Sequence, residues 1–241
     1  MKRKIYPFFE AKVLSLAEDT IALFYPNLCA ACDELLVRNE EVICTKCKVS
    51  LPRTYFMIDD YNPVAKQFWG KVNLQMAFAF YYFQKGERIQ RLLHRLKYDK
   101  RPDVGEVIGK IAGRELVKEL EYLPFTGIVP VPLHPHKERI RGYNQAACFG
   151  KGLSEGSSIK YYSDILTRVK HTSTQTKKSR YDRHLNMASV FHVSSDIDFS
   201  KEHLLLVDDV ITTGSTLCAC AEVLLAKGAK VSVASIAFAA I

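Results

Sequence analysis

The stretch His203-Leu-Leu-Leu-Val-Asp208-Asp209-Val-Ile-Thr212-Thr213-Gly214-Ser215-Thr216 restricts the folds open to this chain more than any other. Leu204 to Val207 form a continuous apolar run, as in a parallel strand buried on both faces. The run ends on two carboxylates, and open α/β sheets take their ligands at the carboxyl ends of strands. After Val210 and Ile211 come four hydroxyl residues and one glycine, then a helical pattern of Leu217, Cys220, Ala221, Leu224 and Leu225. Such a turn lets backbone N–H groups close around an anion, helped by the positive end of the helix. A phosphate is therefore expected at Thr212, Thr213, Gly214, Ser215 and Thr216. Asp208 and Asp209 accept hydrogen bonds only, so they suit the vicinal hydroxyls of a sugar. A ribose 5-phosphate satisfies both halves. A merely well-capped helix would explain the hydroxyls but leave two adjacent carboxylates at a strand end without a partner.

With 241 residues the chain has room for one large domain and a small appendage. Its 48% apolar and 25% charged content is that of a globular protein, and no apolar run reaches bilayer length. Met1-Lys2-Arg3-Lys4 resembles the start of a signal peptide, but Glu10, Lys12, Glu18 and Asp19 interrupt the apolar residues beyond it. That segment reads instead as an amphipathic helix, with Phe9, Val13, Leu16, Ala17 and Leu23 or Phe24 near one face. A cytoplasmic location without stable membrane insertion is expected. The net charge of +8 is compatible with anionic partners, nucleotides or nucleic acid.

Cys29, Cys32, Cys44 and Cys47 form C-x2-C-x11-C-x2-C, two knuckles that can bring four thiolates to one point. Structural Zn²⁺ in a small zinc ribbon is the expectation, since four thiolates leave no open coordination position for substrate. Two disulfides are the alternative, disfavoured in a reducing compartment. Cys148, Cys218 and Cys220 have no partner spacing and read as core or near-core residues.

Periodicity divides the remainder. Residues 1–50 hold the N-terminal helix and the zinc-ribbon module, 51–73 a connection that packs, and 74–241 an α/β domain. Strands are expected at 76–83, 127–131, 165–166, 204–208 and 231–238, and helices at 87–97, 104–120, 137–153 and 215–227. Gly228 caps the last helix. Alternating strands and helices imply a mostly parallel sheet covered by helices on both faces.

The acidic pair followed by Thr-Thr-Gly-Ser-Thr resembles the phosphoribosyl pyrophosphate (PRPP) signature of type I phosphoribosyltransferases; neither G-x-x-x-x-G-K-[ST] nor G-x-G-x-x-G is present. Several blocks together resemble the ComF family, competence-associated and GntX-like relatives of those enzymes. They are Tyr25-Pro26-Asn27-Leu28-Cys29 with the other three cysteines, Leu96-Lys97-Tyr98, Pro130-Val131-Pro132-Leu133, and Arg141-Gly142-Tyr143-Asn144-Gln145. Arg168, Gln175, Arg183, Asn186 and Phe191 come next, ahead of the acidic-pair loop. Two positions depart from the family: Lys178, where leucine is usual, and Tyr143, where phenylalanine is usual.

This resemblance implies a type I phosphoribosyltransferase-like fold and a PRPP-dependent glycosyltransferase site. Asp208 and Asp209 would act at the ribose, the turn at Leu133 and His134 would meet pyrophosphate, and Mg²⁺ would accompany PRPP. His134 is either a proton donor or phosphate contact, or a solvated loop residue. Between Arg168 and His184, Lys177, Lys178, Arg180 and Arg183 outweigh the single acid Asp182. That segment fits a basic lid over pyrophosphate, a loop tracking a single-stranded DNA backbone, or a solvated surface loop. Arg141 and Lys97 add to the same positive field or pack their stems. The family setting implies DNA uptake together with competence-machinery proteins. Three functions stay open: a PRPP-dependent transferase, a single-stranded-DNA-binding module that retains the pocket, and a PRPP sensor without turnover.

Overall fold

The computed structural model describes residues 26–168, 190–193 and 198–239. These fall into two compact units, with the boundary between Ser50 and Leu51. In the first, a bridge between Leu28 and Leu35 and the short helix α1 (Thr45–Ser50) frame the four cysteines.

The second unit is built on helices α2 (Pro63–Phe68), α3 (Arg88–Tyr98), α4 (Pro102–Glu119), α5 (Pro135–Arg141), α6 (Gln145–Ser157) and α7 (Ser215–Leu225). Its strands are β1 (Ala77–Tyr82), β2 (Gly127–Pro130), β3 (Leu166–Arg168), β4 (Phe191–Val193), β5 (His203–Ile211) and β6 (Lys230–Phe238). Four of them form an all-parallel sheet in the order β1-β6-β5-β2, with helices on both faces. Leu204 to Val207 and Val231 to Phe238 are fully or nearly fully buried, which is why these strands read as continuous apolar runs. Each edge of the sheet is partly covered. Thr54 N–H donates to the Phe80 carbonyl at 3.0 Å along β1, and along β2 Ile128 N–H donates to the Lys160 carbonyl at 2.8 Å.

Three expectations need correction. The strand expected at 204–208 runs to Ile211, because β6 keeps pairing with it through Val210 and Ile211. The helix expected over 137–153 is two helices. Gly142, at φ 84, ends α5 in a left-handed turn, and the Asn144 side chain then starts α6 by accepting the Ala146 N–H at 3.0 Å. The strand expected at 165–166 is β3, which leaves the main sheet to pair antiparallel with β4.

Helices α4 and α6 approach backbone to backbone. A Cβ on Gly109 would overlap the Phe149 carbonyl, and one on Gly152 would overlap the Glu106 carbonyl. Only glycine fits where two helices pack this closely. Among the described residues, no helix is long and apolar enough to cross a membrane.

Candidate functional site

The acidic pair lies within the sheet ladder, past the point where β2 ends. Pro130 is the last β2 residue opposite β5, facing Val207, while Asp208 still faces Ser235 of β6. The chain after β2 is anchored by Val131 N–H on the Val207 carbonyl at 2.9 Å, then turns away. A crevice opens there at the carboxyl end of the sheet. The two acids are not equivalent. Asp208 Oδ1 accepts the Asp209 N–H at 2.8 Å, and Asp209 Oδ1 lies 3.1 Å from Lys97 Nζ on the last turn of α3. Asp208 is only partly exposed and closely surrounded; burial, with the Asp209 charge beside it, pushes its carboxyl up to about 7.

β5 delivers the chain into the hydroxyl-rich turn. Thr212 and Thr213 are exposed, and Gly214 is the N-cap of α7 at φ 72, a left-handed conformation that favours glycine. The Phe68 ring from α2 sits 2.8 Å from where a Gly214 Cβ would be, so the turn is fixed from behind as well as by its own torsion. No side chain caps the start of α7 and no acid lies in its first turn. Ser215 and Thr216 open the helix, and the Thr213 and Ser215 hydroxyls are 3.0 Å apart. A cavity of about 50 Å³ is bounded by Asp208 and residues 210–217. Amides at a helix N-terminus beside hydroxyls form a donor-rich cradle for an anion.

At the turn after β2, Leu133 is half-buried and His134 exposed. His134 already has a structural role, since its Nδ1 accepts the His136 N–H at 3.2 Å as the N-cap of α5. Arg141 donates to Gln145 Oε1 at 2.6 Å and lies over the Tyr98 ring at 5.7 Å. Lys177, Lys178, Arg180 and Arg183, together with the amphipathic segment 1–24, lie outside the described residues.

The four cysteines do converge: the Sγ atoms of Cys29, Cys32, Cys44 and Cys47 lie within 4.8 Å of one another, with Cys32 and Cys44 at 3.8 Å. A tetrahedron with Zn–S bonds of about 2.3 Å has sulfur–sulfur edges near that last value, so the set fits zinc. Cys29 Sγ accepts N–H bonds from Ala31 at 3.4 Å and Cys44 at 3.3 Å. Burial pushes the Cys29 thiol up, but these and the neighbouring donors outweigh it and bring the group down to about 7. Cys148, Cys218 and Cys220 are buried as expected, and burial raises all three thiols, Cys148 to about 11.

Sequence reasoning missed the Phe68 support and the Lys97–Asp209 pairing. The Leu96-Lys97-Tyr98 block was the one signal for the second. It also missed a buried polar trio at the β1 edge. Glu115 of α4 sits 3.4 Å from Arg53 Nε, burial raises its carboxyl, and the Tyr81 hydroxyl beside it has no hydrogen-bond partner among the described residues.

Residues 151–240 match the phosphoribosyl transferase domain family. Over 216 residues, covering 87% of this chain and 88% of the relative, the sequence is 27% identical to the DNA utilization protein YhgH of Escherichia coli strain K12. It is 35% identical over 135 residues to competence protein F of Haemophilus influenzae, covering 54% of this chain and 59% of that one. The chain is similar to these competence and DNA utilization proteins. It carries a phosphoribosyltransferase-type α/β domain with a four-cysteine cluster ahead of it in the sequence. Among solved structures it is similar to the glutamine PRPP amidotransferase from B. subtilis complexed with ADP and GMP, at 19% identity and a TM-score of 0.40, over 58% of this chain and 30% of that one.

Proposed function

We propose that this chain binds PRPP at the crevice beyond β2 and acts in the uptake or use of DNA in the cytoplasm, as a phosphoribosyltransferase-like protein. The observation that carries the reading is the acidic pair held in the β5–β6 ladder and followed at once by a glycine-capped, hydroxyl-rich helix start. The matching family, a phosphoribosyl transferase domain over 151–240, supports it. The names of the relatives, a DNA utilization protein and a competence protein, support the setting.

In phosphoribosyl transfer the bond from C1 to pyrophosphate breaks, the sugar becomes oxocarbenium-like, and the acceptor adds to C1. Asp208 and Asp209 would orient the ribose through its hydroxyls, and the amides and hydroxyls of Thr212–Thr216 would hold the 5-phosphate. The crevice carboxylates offer oxygen donors only, which suits a hard cation arriving with the ligand. Mg²⁺, when bound, draws off charge on the departing pyrophosphate. Lys97, 3.1 Å from Asp209, would reduce the repulsion that an anionic ligand meets beside two carboxylates. The basic segment Arg168–His184 favours a second reading, a single-stranded-DNA-binding or PRPP-sensing module that retains the pocket without turnover.

Calorimetry with PRPP and Mg²⁺ tests the site. Replacing both acids, Asp208→Asn with Asp209→Asn, removes charge-assisted acceptors each worth about 1.5–3 kcal/mol, so affinity should fall by at least about tenfold. Unchanged affinity would remove the ribose assignment. Pyrophosphate release across a panel of nucleobase and amine acceptors separates the transferase from the sensor.

A further inference from the structure

Helix α5 is unusual in what it does not do: none of its residues is buried. A short helix is seldom kept for its own stability, which in proteins comes mostly from a packed apolar face. Its sequence is Pro135-His-Lys-Glu-Arg-Ile-Arg141, with three cations, one carboxylate and Ile140 exposed by 65%. Helix α3 buries Ile89, Leu92, Leu93 and Leu96 and carries Arg88, Arg91, Arg95 and Lys97 with no carboxylate.

The two helices meet at their C-terminal ends. The Tyr143 hydroxyl, just past α5, donates to the Leu96 carbonyl of α3 at 2.7 Å. Tyr98, the last residue of α3, is exposed by 65%; the Arg141 guanidinium lies over its ring at 5.7 Å and the His94 ring is 4.9 Å away, tilted. Of the nearby acids, Asp103 lies 2.7 Å from Arg101 and Asp209 3.1 Å from Lys97, while Asp99 stands 3.7 Å from the His94 ring and Glu138 shares α5 with three cations. Among the described residues, no carboxylate stands within ion-pair distance of Lys137 or Arg139.

We infer that the joined C-terminal ends of α3 and α5 form a platform for single-stranded nucleic acid, with a base stacking on Tyr98 and Arg141 and phosphates along Lys137 and Arg139. Two features pair here. Cations alone attract any polyanion, but an exposed aromatic ring with a guanidinium over it offers the stacking that unpaired bases supply and an acidic protein does not. A duplex keeps its bases stacked inside and cannot use Tyr98 in this way. The platform adjoins the crevice, since Lys97 of the same α3 turn reaches Asp209. It rests on the DNA-handling half of the proposed function and is independent of PRPP binding.

The test is fluorescence anisotropy of the full chain with a labelled oligothymidylate of about twenty nucleotides, across a salt series. Tyr98→Ala should weaken binding about 5- to 150-fold, the loss of one stacked base, while Tyr98→Phe retains it. Lys137→Gln with Arg139→Gln should reduce the log–log salt slope by about 1.4, at roughly 0.7 per phosphate contact on a single strand. Because α5 buries nothing, that variant should melt like the wild type and bind PRPP unchanged. If the wild type binds the strand but these variants match it in affinity and slope, the platform is wrong and DNA handling stands elsewhere, with loss confined to Lys177→Gln, Lys178→Gln and Arg180→Gln. Failure of the wild type to bind any strand removes both. Equal binding of polyglutamate, insensitive to Tyr98→Ala, overturns the platform in favour of an acidic protein partner.

Discussion

The cysteine unit and the α/β unit reach order by different means. Up to Ser50 the described chain buries Cys29, Cys44 and Cys47 with Ala30, Ala31, Val42 and Ile43, yet leaves Leu35, Val37 and Val49 exposed by 66%, 66% and 77%. That core is too small to hold a segment of this length, and the convergence of four sulfurs is its main organising contact. From Leu51 onward the chain buries Phe78, Phe80, Phe149, Leu92, Ile108 and the strands of the sheet completely. A structure held by a point is fragile to chemistry; one held by packing is fragile to shape.

The sharpest break of this contrast is metal removal. Structural zinc contributes on the order of 10–16 kcal/mol in small zinc modules. Chelation, or Cys47→Ser, should therefore abolish hydrogen-exchange protection at 28–49 while the α/β unit melts as before. Full protection in metal-free, thiol-reduced protein would show that the first unit has a self-sufficient core. Shape comes next. Gly152→Ala drives a methyl into the Glu106 carbonyl and must part α4 from α6, at a cost of about 3 kcal/mol in denaturant unfolding of the second unit. Zinc content should stay unchanged; a wild-type denaturation midpoint would mean that the two helices separate freely.

Acidity divides the units more gently. The native Asp208 carboxyl lies near 7 against an ordinary value near 3.8, so the folded state holds its proton more tightly than the unfolded state. That contribution to stability is complete below about pH 4 and is lost as pH rises through 7. Asp208→Asn should accordingly melt a few degrees above the wild type at pH 8, with the two converging near pH 4. A constant difference across that range would contradict the burial of this carboxyl. The smallest effect belongs to Lys97→Met. It leaves Asp209 without its counter-ion at a partly exposed pair, costing about 1 kcal/mol, and a double-mutant cycle with Asp209→Asn should recover most of that loss. Full additivity in the cycle would mean that the contact carries no energy.

Much of the α/β unit was legible because each strand of the sheet announces itself in one dimension. The run Leu204–Val207, the helical stripe of α3 and the cysteine spacing depend on neighbours in sequence, and the structure retains all three. Three-dimensional competition decided the remainder. Strand β5 outlasts its apolar run because β6 supplies backbone partners beside Asp208, Val210 and Ile211, whatever the side chains there prefer. The break at Gly142 was hidden by apolar residues that continue the helical period across it. In the site, the phosphate turn could be read from Thr212 to Thr216, but its backing by Phe68 could not. That contact joins residues far apart in the sequence, with no pattern linking them.

The partly covered sheet edges also limit how such a molecule can grow. With residues 52–54 bonded along β1 and 160–162 along β2, an incoming strand must first peel away a segment of the chain itself. Extension by shared backbone ladders, the route to fibrils and to strand-swapped pairs, is closed along those stretches. Assembly there must instead work through side-chain surfaces, so its selectivity is written in the exposed residues and can change by substitution without disturbing the sheet.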